Sequence, residues 1–376
     1  MSRSHRTLCL LTILLAGSLP AKEAPSQSNS WSVAKDGWKY VFPSDHGPHR
    51  TFKTEWWYAT GNLLDEKGHE YGFQLTFFRQ GIHPGEKLPS GSRFRVNELP
   101  FAHFAFTDVS GHDFRSFQRS SRGAFGEAGF ETPSEDRGKM AWMEGWILEQ
   151  LSGNSFRLAA SDSSKNESRG VDLILLEERP PLIHGTGGIS PKSSKPDHAS
   201  HYYSLTRLKA SGSVSVNGVS HKVRGTVWFD HEWSTNQLEP DEAGWDWSGL
   251  HLSNGDDLML FRIRDKESRT SFRSGTLRSA DGKVRTLDDI VMTPQDIWKS
   301  PHTGGLYPSA WSLKIPSIGL SLSVTPKLAD QELLLAPFAY WEGAVRGEGS
   351  MAEKPVKAEG YFEMTGYGGK ILGLSQ

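Results

Sequence analysis

Apolar and polar residues alternate along most of the chain in short runs separated by turn residues, which is the period of a half-buried β-strand and not of a helix. Val214 and Val216, the pair Asn217-Gly218, then Val223, Gly225 and Val227 make the clearest hairpin, because Asn-Gly supplies the positive φ angles of a two-residue turn. Leu250 and Leu252, the turn Ser253-Asn254-Gly255-Asp256, then Leu258, Leu260 and Phe261 make a second. Further hairpins are predicted over 62–78 around Lys67-Gly68, 102–114 around Ser110-Gly111, 275–287 around Asp281-Gly282 and 312–324 across Pro316. No stretch carries a sustained helical stripe, and 332–338 reads at most as a short turn or loop. The pattern predicts an all-β chain of antiparallel strands. Repeated hairpins hide their edges most simply by closing into barrels, and a barrel of about eight strands can hold one small ligand. The length suggests two domains, and a weak repeat agrees: Trp57, Gly61, Leu64 and Phe78-Arg79 run parallel to Trp245, Gly249, Leu252 and Phe261-Arg262. Residues 180–200, rich in Pro, Gly, Lys and Ser, interrupt the strands as a long loop of the kind that carries function.

Composition narrows the setting. Arg3, His5 and Arg6 precede a short apolar core at 8–16 and then small residues up to Ala21, the form of a secretory signal too short to span a bilayer. Residues 1–21 are read as that signal and 22–34 as a solvated leader. The protein is expected to be exported, periplasmic or secreted, and not membrane-spanning. The lone cysteine, Cys9, falls inside the signal, so no disulfide is expected in the mature chain. With 42 basic against 44 acidic residues, no nucleic acid partner is implied.

The densest chemistry is Trp228-Phe229-Asp230-His231-Glu232-Trp233, followed by Trp245-Asp246-Trp247, where ionisable groups sit among aromatic rings. Glu55-Trp56-Trp57-Tyr58 repeats the theme. Acids bracketed by apolar surface are what a pocket for a mostly hydrophobic ligand looks like. They are equally what hydrogen-bonded acids and a tryptophan core at a domain junction look like. A metal reading is poorly supported. Neighbours on a strand face opposite ways, so only Asp230 and Glu232 could share an ion, with help from His46, His49, His198 or His201. No Gly-x-Ser-x-Gly elbow supports a serine hydrolase. Tyr202 and Tyr203 also alternate, so at most one lines a pocket.

Four blocks in order carry a resemblance: Phe52-Lys53-Thr54-Glu55-Trp56-Trp57-Tyr58 with Gly61-Asn62-Leu63, His201-Tyr202-Tyr203-Ser204 with Thr206-Arg207-Leu208, Asp230-His231-Glu232-Trp233, and Tyr340-Trp341-Glu342-Gly343-Ala344-Val345 with Gly366-Tyr367. Together they resemble the AttH-like, carotenoid 1,2-hydratase-related family of lipocalin-like proteins, often labelled secreted hydrolases. The resemblance implies two tandem lipocalin-like antiparallel β-barrels, over 35–234 and 235–376. It also implies cofactor-free chemistry on a lipid or isoprenoid, by a His-x-Trp pair and a Tyr-x-Asp pair. His231-x-Trp233 matches the first pair. The strand where the second belongs reads Met259-Leu260-Phe261-Arg262, a departure that separates this chain from carotenoid hydration.

Two functions are therefore weighed: a cofactor-free hydratase or hydrolase, and a lipid carrier that hands its ligand to an ABC-type envelope transporter. For catalysis the candidates are Asp230, Glu232 and Asp246 as acids, His231 as the water-activating base and Trp233 as a stabilising ring. Glu55, Trp56, Trp57, Tyr202, Tyr203, Trp245 and Trp247 are candidate ligand contacts; Glu55 could instead turn to a polar partner where a strand opens the first barrel. The 234–244 linker is expected to bring His231 and Asp246 onto one cavity at the junction of the barrels.

Overall fold

A computed structural model describes residues 30–84, 96–134, 137–164, 167–195, 197–335 and 338–368. Residues 1–29, which hold the segment read as an export signal with Cys9 and most of the expected leader, lie outside the described residues. The described chain is antiparallel strand interrupted by three single-turn 3-10 segments. It forms two lipocalin-like barrels, each a sheet curled round its own apolar core. Each sheet joins its first strand to its last. Thr54–Asp65 pairs with Val219–Ser234 in the first, and Glu242–Leu252 pairs with Lys354–Met364 in the second.

Local chemistry fixes the hairpins. Asn217 and Gly218 take φ of 50° and 80°, and Ala199–Val216 returns as Val219–Ser234 through that turn. Where a short turn or loop was expected over 332–338, Glu332–Leu335 is a strand paired with Phe338–Met351. Its Leu333 and Leu335 are buried and Leu334 is exposed, but one such alternation is too short to stand out in sequence. The 180–200 segment is tied down by two short strands, Leu182–Ile183 and Ser190–Pro191, on Ala199–Val216.

Alternation gives each strand near the junction two jobs. Trp57, Ala59, Tyr203, Phe229 and Trp233 fill the first barrel. Tyr58, Tyr202 and Trp228 point the other way, meeting Trp247, Phe261 and Tyr361 in an aromatic layer between the barrels. An acid opposite an arginine marks one end of each barrel: Glu55 faces Arg79 across the first hairpin, and Asp246 faces Arg262 across its counterpart. The matching positions of the two halves are thus Glu55-Trp56 and Asp246-Trp247. Trp57 and Trp245, aligned by the repeat, face opposite sides.

The barrels approach closely at Gly72, where an added Cβ would lie 2.5 Å from the Tyr361 hydroxyl and 3.1 Å from the Ala344 Cβ. Gly72→Val is expected to destabilise the protein by about 1–3 kcal/mol through overpacking, read as a lowered thermal midpoint; an unchanged midpoint would mean that the barrels slide apart freely.

Candidate functional site

The aromatic layer opens into a cleft, open in part to solvent, whose walls include Trp56, Tyr58, Tyr202, Trp245, Trp247 and Phe261. Asp230, Glu232, Glu342, Glu363 and Lys192 reach the same cleft. It therefore combines a mostly apolar wall with a few converging polar groups, the form of a small-molecule site.

Each acid is held differently. Asp230 accepts from the Trp228 Nε1 at 2.7 Å, from the Tyr202 hydroxyl at 2.8 Å and from Ser204 Oγ. Burial pushes Asp230 up to about 7 while these donors pull it down. Behind Ser204 stands the buried His184, 2.6 Å from Ser204 Oγ and 2.9 Å from Thr276 Oγ1, its ring 4.1 Å from that of Tyr202. Glu232 forms an ion pair with Lys192 at 2.6 Å and takes a hydrogen bond from Ser200.

Glu342 and Glu363 sit directly opposite each other on Phe338–Met351 and Lys354–Met364. Burial and the neighbouring Glu363 hold Glu342 well above the usual carboxylate range, against one donor, the Tyr58 hydroxyl at 3.0 Å on Oε2. Glu342 Oε1 is buried without a hydrogen-bond partner. Burial likewise pushes Glu363 up to about 7, against the Trp245 Nε1 at 2.8 Å.

A raised carboxyl destabilises the fold once it ionises. Glu363 contributes fully below its ordinary value of 4.5, and that contribution is lost as pH rises through about 7. Glu363→Gln, which keeps an acceptor for Trp245, is expected to stabilise the protein by on the order of 3 kcal/mol at about pH 8 and by little at about pH 4. Denaturant melts at the two pH values check this; an equal shift at both would contradict the assignment.

His231 and Asp246 do not share this cleft. Asp230 and Glu232 point into it, so His231, between them, points into the first barrel. Trp245 and Trp247 point into it, so Asp246, between them, points into the second. There Asp246 pairs with Arg262 at 2.7 Å and Arg264 at 3.1 Å, and the Tyr367 hydroxyl donates to it at 3.0 Å. Glu55, Trp57, Tyr203 and Trp233 also turn inward, whereas Trp56, Tyr202, Trp245 and Trp247 line the cleft.

The inward groups form a second polar cluster beneath residues 36–52, which lie across the barrel mouth. His49 contacts Glu55 at 2.7 Å and Asp45 at 3.1 Å, stacks on Trp233 at 3.6 Å, and is held above its ordinary value because the two carboxylates outweigh burial. Glu55 stays well below the usual carboxylate range because Arg79 at 2.8 Å and His49 outweigh its own burial. His231 Nε2 lies 2.9 Å from Glu55 and its Nδ1 lies 2.9 Å from the Asp45 carbonyl. Ligating atoms of His49, Glu55 and His231 fall within 4.8 Å of one another, a set different from the one weighed around Asp230 and Glu232. Arg79, His49 and His231 already satisfy the Glu55 oxygens, so the geometry is that of a charge cluster pinning the segment over the mouth.

A family model described as AttH-like matches residues 33–367 of the chain. The chain belongs to the AttH-like family. An AttH protein of solved structure from Nitrosomonas europaea is 31% identical, with a TM-score of 0.77 over 89% of this chain and 99% of that one. Kievitone hydratase from Nectria haematococca shares the fold, with a TM-score of 0.64 over 91% of this chain and 97% of that one, at 17% identity. A curated relative, the dehydratase asqC of Emericella nidulans, is 26% identical over 196 residues, or 48% of this chain and 54% of that protein. The match thus spans about half the length of that relative.

Glu342, Glu363 and Lys192 were not picked out as functional from sequence. Glu342 carried the available signal: Tyr340-Trp341-Glu342 sets an acid and an aromatic residue on one face, as Trp56 and Tyr58 share theirs.

Proposed function

We propose that the protein is a hydro-lyase that adds water to, or removes it from, a hydrophobic substrate held in the cleft between the barrels, without a cofactor, after export. The observation that carries this reading is the pairing of unlike acids on one apolar wall. Glu342, with a single donor and a free buried oxygen, is suited to remain neutral and give a proton. Asp230, with three donors, is suited to be the carboxylate that takes one. In the hydration direction Glu342 protonates a double-bond carbon, the electron pair forms the new C–H bond, and the cation faces Trp245, Trp247 and Tyr58. Water adds to the cation and Asp230 accepts its proton; return of that proton to Glu342 restores the site. Dehydration is the same path reversed. The dehydratase relative supports this reaction class.

The test is a panel of alkyl and terpenoid alkenes and tertiary alcohols incubated in ¹⁸O-water. Incorporation of the label into alcohol, or its exchange, supports the reading. Tight binding with no label in any product would leave a carrier instead. In either event Trp247→Ala is expected to weaken ligand binding by about tenfold or more, read from quenching of the remaining tryptophans.

A further inference from the structure

We infer that the cleft also binds a hydrophobic organic cation, an alkyl or terpenoid ammonium, with its nitrogen between the paired Glu342 and Glu363 and the tryptophan faces. The inference rests on the proposed function, since the ammonium would occupy the position where positive charge develops during turnover.

Charge balance is the first argument. Four carboxyl side chains line the cleft, and Lys192 compensates one of them, Glu232. Arg79 also reaches the wall but is engaged by Glu55 at 2.8 Å. Among the described residues no cation pairs with Asp230, Glu342 or Glu363 in an ion pair. An anionic ligand would meet like charge; a cationic one would meet its missing partner.

The second argument is independent of the first. Glu342 Oε1 is buried and without a hydrogen-bond partner while its side chain lines the cleft, and a buried acceptor left unpaired is costly unless something else completes it. The chain also shows how an alkylammonium sits in this cleft. Lys192 Nζ lies 4.4 Å above the centroid of the Phe261 ring and 5.0 Å above that of Tyr202, while its ion pair with Glu232 measures 2.6 Å. A metal ion fits less well. Among the described residues the trio of ligating atoms within 4.8 Å of one another is His49, Glu55 and His231, outside this cleft, and the wall here is aromatic.

Binding would require a proton to leave the Glu342–Glu363 pair for solvent. The titratable and charged groups around that pair are Tyr58, Tyr202, Tyr340 and Tyr361, His103, Lys192 and Arg79, and the acids Asp230, Glu232 and Asp246. Burial pushes the tyrosines up and His103 down to about 3, so the changes of charge near neutrality fall on Asp230 and Glu363.

The experiment compares N,N-dimethyldecylamine with decanol on the full mature chain, by tryptophan quenching and by calorimetry in two buffers of different ionisation enthalpy. The amine is expected to bind about tenfold more tightly than decanol at about pH 8. Its Kd should rise by up to about tenfold per pH unit below about pH 7, with proton release on binding, and decanol should show neither effect. The double variant Glu342→Gln with Glu363→Gln should lose the preference yet retain decanol affinity, which shows that its cleft is intact. Equal, pH-independent binding of both probes would overturn the inference and leave the proposed function standing. Failure of both probes to bind would overturn the two together.

Discussion

Glu342→Gln is expected to lower kcat by about 10²- to 10⁴-fold, the usual contribution of a positioned proton donor, while changing substrate affinity little. The glutamine keeps an acceptor for the Tyr58 hydroxyl, 3.0 Å away in the wild type, and removes only the acidic proton. Because the lost interaction belongs to the transition state, kcat and kcat/KM should fall together. Burial and Glu363 hold Glu342 far above its ordinary value, so wild-type activity should persist through neutral pH. It should decline on acidification as Asp230, near 7, takes a proton and ceases to act as base. A variant with normal kcat, or one whose loss appears only in KM, would remove Glu342 from the chemistry.

Arg79→Ala is expected to destabilise the protein by about 3–5 kcal/mol, the cost of stripping one partner from a buried ion pair. Glu55 is fully buried, and Arg79 gives it a 2.8 Å contact while also donating to the carbonyls of His49 and Phe52 at 3.1 and 2.7 Å. The loss therefore reaches the segment across the barrel mouth as well as the sheet. The signs of the linked titrations follow. Glu55 and Asp45 are depressed in the fold, so their contribution is present above their ordinary values and is lost as pH falls through the folded ones. His49 is raised, so its contribution is present at low pH and is lost as pH rises through its folded value. Urea melts of wild type and variant across acid and neutral pH would show the gap; a variant within about 1 kcal/mol of wild type would mean that the cluster is not structural.

The hairpins were legible because their signals are local: Asn217-Gly218 and Asp281-Gly282 dictate a turn whatever surrounds them. Alternation within a strand was legible for the same reason, and the opposite placement of Tyr202 and Tyr203 follows from it. Which face of a strand meets the other barrel depends on contacts distant in sequence. That is why His231 and Asp246 were expected on one cavity and instead lie in separate barrel interiors. Glu342 opposite Glu363 is a register between strands, with nothing in either run to announce the other. Asp45 and His49 join Glu55 and His231 only because residues 36–52 fold back over the barrel mouth, which no local pattern encodes.

The central claim is that ligand binds between the barrels and not inside either one. Photolabelling with an alkyl diazirine, followed by peptide mapping, tests it most directly. Label should fall on Trp56 and Tyr58, on Trp245 and Trp247, and on Tyr340, and decanol should displace it. Label confined to first-barrel residues such as Trp57, Tyr203 and Phe229, or to the segment around His46 and His49, would contradict the claim.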